Sequence, residues 1–153
     1  MQENTKDKEK YSFLRQTGIE TFAFIFSEGA LQWLHGTTTD DDGREISNFT
    51  LFADLLARMA LADGTAKGFH RPLTLSVGQA QYSEEQLSTQ WSMGRKRIRR
   101  LLDELERLEL IDTHRSRVAS VMTFPCLLQG MARDGGVVSN PFIHKQRERI
   151  EPL

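Results

Sequence analysis

The strongest hydrophobic pattern in the chain lies between residues 95 and 109. Apolar side chains recur there every three or four residues, at Ile98, Leu101, Leu102, Leu105 and Leu108. This spacing is typical of an amphipathic helix with one buried face. No proline or internal glycine interrupts it. Just upstream, Ser83 and Gln86 form a capping box, which predicts the start of a shorter helix carrying Leu87 and Trp91. Residues 92–94 predict a brief turn between the two helices.

Weaker patterns predict the elements on either side of this pair. Residues 52–59 place apolar side chains on one helical face, after an N-cap at Ser47 or Asn48. Residues 72–77 alternate apolar and polar positions, as a short half-buried strand does. Residues 110–113 and 118–124 predict two more strands, joined by a polar turn at 114–117. The predicted order is helix, strand, helix, turn, helix, strand, turn and strand.

The remaining segments have less regular patterns. Phe22, Phe24 and Phe26 alternate with smaller residues, which fits either a strand or a buried helical turn, and Ser27 is placed to cap a short helix after them. Residues 37–44 predict a loop, residues 78–79 a turn, and the chain beyond Gly130 irregular structure. We therefore divide the chain into a disordered tail at 1–10, an N-terminal extension packed on the core at 11–46, a central domain at 47–124 and a C-terminal extension at 125–153.

The composition excludes several classes of protein. The chain has 153 residues, of which 39% are hydrophobic and 27% charged, as in an ordinary soluble globular domain. A single cysteine, Cys126, cannot form an internal disulfide. The first ten residues are polar and lack the apolar core of a signal peptide, and the apolar runs are far shorter than the ~20 residues of a membrane span. These features predict a cytoplasmic protein without a membrane partner.

The sequence offers no motif for catalysis or for a metal. The histidines are scattered, and neither a glycine-rich phosphate loop nor a nucleophile elbow is present. The acidic run at residues 40–42 resembles part of a calcium loop, but Thr38 and Phe49 stand where acidic ligands are needed. We therefore expect a solvated acidic turn there, no cofactor and a protein that is not an enzyme.

The net charge hides a local concentration of cations. The whole chain has 20 Lys and Arg against 21 Asp and Glu, a balance of -1 that argues at first against a nucleic-acid partner. Five cations nevertheless occupy six consecutive positions at the start of the long helix: Arg95, Lys96, Arg97, Arg99 and Arg100. Cations at a helix N-terminus cost about 0.3–1 kcal/mol each. A polyanionic partner would explain why the sequence accepts this penalty.

The helical wheel places these cations outside the apolar face. Lys96 and Arg100 point almost directly away from the core, while Arg95 and Arg99 lie on one flank and Arg97 on the other. Such a face suits contact with DNA bases or phosphates. The alternative is an ordinary solvated face, whose long side chains only cover apolar surface.

The stretch GQAQYSEEQLSTQWSMGRKRIRRLLDELERLELI, residues 78–111, resembles the N-terminal domains of DnaD-like primosomal and phage replication-organiser proteins. It is also similar to many bacterial winged-helix transcription regulators. The resemblance implies that residues 47–124 form a winged helix-turn-helix domain, mainly α with a small antiparallel β wing (an α+β class). It implies a positioning helix at 83–91, a recognition helix at 95–108 and a wing at 114–117. Gly94 and Glu109 depart from the capping Ser and C-terminal Gly that are frequent there.

The function implied is double-stranded DNA binding in transcription regulation or replication initiation. The candidate DNA-binding residues are Arg95, Lys96, Arg97, Arg99, Arg100, Arg115 and Arg117. Arg115 and Arg117 either touch the DNA backbone from the wing or belong to an ordinary polar turn. If all five helix cations neutralise phosphates, the salt slope is about -4.5. The alternative function is a protein-protein interaction or dimerisation module, with the aromatic residues of the N-terminal extension forming a homodimer interface.

Overall fold

The computed structural model describes residues 19–59, 64–66, 73–75, 78–115 and 120–141. These segments contain four helices: α1 (Glu28–His35), α2 (Asn48–Leu56), α3 (Glu84–Trp91) and α4 (Arg95–Arg107). Within them, no helix combines the length and the apolar content that a bilayer crossing requires. The disordered tail predicted at residues 1–10 lies outside the described residues.

Ten strands accompany the helices in the described segments. They are β1 (Ile19–Phe24), β2 (Thr37–Thr39), β3 (Glu45–Ser47), β4 (Gly64–Ala66), β5 (Leu73–Leu75), β6 (Gln79–Tyr82), β7 (Asp112–Arg115), β8 (Ser120–Thr123), β9 (Leu127–Ala132) and β10 (Val137–Ser139). All pairings are antiparallel. One sheet has the order β1-β9-β10 and another the order β6-β8-β7, while β2-β3 and β4-β5 form two-stranded hairpins.

The predicted fold class, a mainly α winged helix-turn-helix with one small wing, is wrong. The described chain is an α+β structure with ten strands in four small sheets beside its four helices. The missed strands are short and lie mostly in the two segments that the sequence indicated as extensions. A strand of three residues is too short to show the alternation on which the sequence prediction depends. The wing turn predicted at residues 114–117 is wrong at its first two positions, because His114 and Arg115 belong to strand β7.

The predicted helices are present, but the one expected to carry Met59 is shorter than predicted: α2 ends at Leu56, and Met59 forms an isolated antiparallel bridge with Ala80. The Ser83 hydroxyl accepts the Gln86 N–H at 3.2 Å at the start of α3, and the Ser27 hydroxyl accepts the Ala30 N–H at 3.1 Å at the start of α1. Helix α4 covers nearly all of the predicted range and buries its apolar stripe completely at Ile98, Leu102 and Leu105. These elements follow local rules of capping and periodicity, which a sequence displays directly.

Several loop predictions need correction. The loop expected at 37–44 contains β2, which pairs with β3, so only residues 40–44 form its turn. The turn expected at 78–79 ends at Gly78, since β6 begins at Gln79. The irregular chain expected beyond Gly130 is a hairpin of β9 and β10, which turns at Gly135 with a φ of +92°. In each case the partner strand, rather than the local sequence, makes the segment extended.

A cluster of aromatic rings joins the β1-β9-β10 sheet to the helices. The Phe52 ring of α2 lies 6.2 Å from Phe24, 6.1 Å from Phe26 and 6.3 Å from Phe124, in edge-to-face geometry. Phe22 and Trp33 also pack against this core. The aromatic side chains that were candidates for a homodimer interface therefore contact the core of their own chain.

Candidate nucleic-acid interface

A hydrogen bond between α2 and α3, together with the tight turn that follows α3, positions the start of helix α4. The buried carboxylate of Asp54 in α2 accepts the indole N–H of Trp91 at 3.0 Å, at the last residue of α3. Ser92 then adopts a left-handed conformation (φ 52°), and the Ser88 hydroxyl donates to the Met93 carbonyl. This tight turn leads directly into α4, so the basic end of α4 lies beside the C-terminal end of α3.

Three of the predicted DNA-binding residues are exposed and unpaired within the described part of the chain. Arg95, Lys96 and Arg100 are exposed, and no described carboxylate lies within 4.0 Å of their charged groups. We call these three side chains the open cationic surface. They project from the first two turns of α4, where Lys96 and Arg100 point away from Ile98 and Arg95 lies on one flank of the apolar face.

Arg99 is also exposed, but it binds a carboxylate of the neighbouring helix. Its Nε and Nη2 donate to the two carboxylate oxygens of Glu84 at 3.2 and 3.0 Å. This hydrogen-bonded pair raises the pKa of Arg99 and lowers the pKa of Glu84. Arg99 therefore connects the start of α3 to α4, a role that the sequence pattern did not reveal.

Arg97 is held on the other flank by the acidic turn between β2 and β3. Its Nη1 lies 2.6 Å from Oδ1 of Asp41, and its Nη2 donates to the carbonyl of Thr39. The second carboxylate oxygen of Asp41 accepts the N–H of Gly94 at 2.8 Å. Asp41 thus places, from a distant part of the chain, a carboxylate at the N-terminus of α4, where the helix dipole favours negative charge.

The acidic turn has a defined conformation. Its backbone is tied to the turn before α4, because the Asp41 N–H donates to the Ser92 carbonyl at 2.9 Å. The carboxylate of Asp40 accepts the N–H groups of Asp42 and Arg44, each at 2.9 Å. Asp40 is buried, so the expectation of a fully solvated acidic turn is wrong at that residue.

The two remaining candidates lie at the edge of the site. Arg115, on β7, is exposed and lies 3.9 Å from the carboxylate of Asp103 in α4. Arg117 lies outside the described residues. Further along α4, Arg107 pairs with Glu104 at 2.5 Å, and the carboxylate of Glu106 accepts the N–H of Thr113 in β7 at 2.7 Å. The unpaired positive charge of α4 is therefore confined to its first two turns.

The described residues form an α+β protein in which three exposed cations without a salt bridge cluster at one end of a helix. Comparison of the chain with models of protein families, with characterised proteins and with solved structures finds no match. Any function must therefore be argued from the site itself.

Proposed function

We propose that this protein binds double-stranded DNA through the open cationic surface of α4. The observation that carries the proposal is that Arg95, Lys96 and Arg100 are exposed and form no salt bridge within 4.0 Å of a described carboxylate. On a helix, a cation can pair with a carboxylate three or four residues away, which stabilises the helix by about 0.2–0.5 kcal/mol. Arg107 makes such a pair with Glu104, and the three open cations do not.

The dimensions of the surface suit a DNA backbone. From residue 95 to residue 100 the helix rises about 7.5 Å. Phosphates of one strand follow one another every ~3.4 Å along the duplex axis, so the surface can cover about two or three of them. No aromatic residue lies between positions 92 and 107 to stack on unpaired bases, which favours a duplex over a single strand.

Salt dependence provides the test of this mechanism. Three phosphate contacts give a slope of about -2.7 in log affinity against log salt, so affinity falls ~40-fold between ~50 and ~200 mM. If Arg97 and Arg99 also contacted phosphate, the slope would be about -4.5 and the loss ~500-fold. We expect the shallower slope, because both of these side chains already bind carboxylates. Fluorescence anisotropy with a labelled mixed-sequence duplex measures it.

A triple variant and a control on the same helix complete the experiment. Arg95→Gln/Lys96→Gln/Arg100→Gln removes the open cationic surface and is expected to abolish the salt-dependent binding. Arg107→Gln also removes an exposed cation from α4, but one that is already paired, and should bind like the wild type. Circular dichroism confirms that both variants are folded. Wild-type protein that fails to bind duplex, or a folded triple variant that binds with an unchanged slope, would contradict the proposal.

We further propose, from the sequence resemblance alone, that DNA binding serves transcription control or replication initiation. Selection from a pool of random duplexes tests this role, because either process requires a preferred sequence. Equal recovery of all sequences would count against both.

A further inference from the structure

The acidic turn brings negative charge to the border of the open cationic surface. Asp41 is half exposed, its side chain retaining 50% of its accessible area, and Arg97 beside it retains 34%. The contact is therefore accessible to solvent and to a ligand. It also lies on the first turn of the helix that we propose binds DNA.

The carboxylate of Asp41 occupies donors of the kind that bind DNA phosphate. It accepts the backbone N–H of Gly94 at 2.8 Å and the guanidinium of Arg97 at 2.6 Å. Backbone N–H groups at helix starts and arginine side chains are common phosphate contacts in protein–DNA complexes. While Asp41 stays in place, the charge of Arg97 is compensated and a neighbouring phosphate is repelled.

The turn holds this carboxylate in place before any DNA arrives. Asp40 organises the turn through the N–H groups of Asp42 and Arg44, and the Asp41 N–H donates to Ser92. A side chain on a preorganised turn loses little entropy when it makes its contacts, so it competes well with an external anion.

We infer that Asp41 is an autoinhibitory group, which withholds Arg97 from DNA and lowers the affinity of the α4 surface for duplex. The inference rests on the proposed function and concerns the regulation of the same site. In the wild type Arg97 stays on Asp41 and makes no phosphate contact, so a phosphate can bind Arg97 only when the Asp41 carboxylate is removed from it. Conditions or partners that move the turn between β2 and β3 would raise DNA affinity.

The variant Asp41→Asn tests the inference. The asparagine side chain keeps one oxygen, which can accept the Gly94 N–H. The substitution removes the negative charge and replaces the other oxygen with an NH2 group, which cannot accept from Arg97, so Arg97 becomes a fourth cation available to phosphate. The salt slope should steepen by about 0.9, from about -2.7 to about -3.6. We expect binding roughly tenfold tighter at ~50 mM salt and about threefold tighter at ~200 mM.

Two controls separate a local effect from a change of net charge. Asp134→Asn makes the same substitution in the turn between β9 and β10, where the carboxylate likewise accepts a glycine N–H, that of Gly136 at 2.8 Å. It should bind like the wild type. In an Arg97→Gln background, Asp41→Asn should no longer steepen the slope, because the side chain that it releases is absent. Thermal unfolding of each variant verifies the fold.

The outcomes distinguish this inference from the proposed function. If neither the wild type nor Asp41→Asn binds duplex, the proposed function fails. If the wild type binds and Asp41→Asn binds equally or more weakly, the inference is overturned and Asp41 serves only to hold the start of α4. An equal gain from Asp134→Asn, or a gain that survives in the Arg97→Gln background, would also overturn it.

Discussion

Glu84 shows how one residue both supports the candidate site and limits it. Its carboxylate takes two N–H donors from Arg99, and Arg95 and Arg115 lie close enough to stabilise its charge further. The pair joins α3 to α4, yet it also removes Arg99 from the cations available to DNA. A cation's contacts therefore decide its availability: Arg99 is hydrogen-bonded to Glu84, whereas Arg95 acts on Glu84 only through its charge.

The lowered pKa of Glu84 predicts a pH dependence of stability. A carboxyl group whose pKa is lower in the folded state stabilises the fold above its unfolded pKa, near 4.5, and loses that contribution as pH falls through the folded value. The free energy of unfolding should therefore fall on acidification from pH ~5 downward. In Glu84→Gln the fall over this window should be smaller. Urea titrations at several pH values measure it.

The matched control for that prediction is Glu85→Gln, which removes an exposed carboxylate at the next position of α3. Its profile should follow that of the wild type. Identical acid sensitivity in the wild type and Glu84→Gln would show that the pair with Arg99 does not contribute to the pH dependence.

Among the elements, the buried hydrogen bonds between α2 and α3 determine how α4 is presented. Asp54 accepts the indole N–H of Trp91 at 3.0 Å and the side-chain N–H of Gln90 at 3.3 Å. Arg58, one turn further along, donates to Gln90 at 2.5 Å. Since α4 follows Trp91 after only three residues, these contacts also orient the open cationic surface.

Replacing the indole donor tests this arrangement. Trp91→Phe keeps an aromatic ring in the core but removes one hydrogen bond to a buried carboxylate, which should lower the free energy of unfolding by about 1–3 kcal/mol. Trp33→Phe is the control, because Trp33 is half-buried and its indole N–H donates to no described group. Chemical denaturation followed by circular dichroism compares the two variants. Equal losses in both would attribute the effect to the ring rather than to the hydrogen bond.

Some helices and strands could be predicted from the sequence, and others could not. Helices α3 and α4 were predictable because a capping box and a stripe of leucines are local signals. Strands such as β2 and β10 were not, because three residues carry no period and their partners supply the pairing. The wheel correctly indicated that Lys96 and Arg100 are exposed, whereas the contact of Arg97 with Asp41 joins residues 56 positions apart. No local pattern indicates such a pairing.

At the level of the whole molecule, the β1-β9-β10 sheet shares one hydrophobic core with the helices, and Phe52 connects the two. This continuity predicts a single cooperative unfolding transition, in which β1 and α4 are lost together. Phe24→Ala, which removes a ring stacked 5.5 Å from Phe26 and packed on Phe52, should destabilise the entire fold by about 2–4 kcal/mol. Tryptophan fluorescence and circular dichroism should report the same lowered midpoint.

The control for that variant is Phe49→Ala, because Phe49 keeps 54% of its accessible area and lies outside the core. It should change the unfolding midpoint little. If tryptophan fluorescence and circular dichroism gave different unfolding midpoints for Phe24→Ala, the β1-β9-β10 sheet would unfold independently of the helices.

The pairing of β1 with β9 has a consequence for synthesis of the protein. Thr21 and Met131, which face each other in this sheet, are separated by 110 positions. At translation rates of about 5–20 residues per second, β1 emerges from the ribosome roughly 5–20 seconds before its partner. During that interval an aromatic strand with open hydrogen-bonding edges has no native neighbour. The nascent chain therefore depends on late closure of this sheet, and chaperone binding to residues 19–26 would protect it until then.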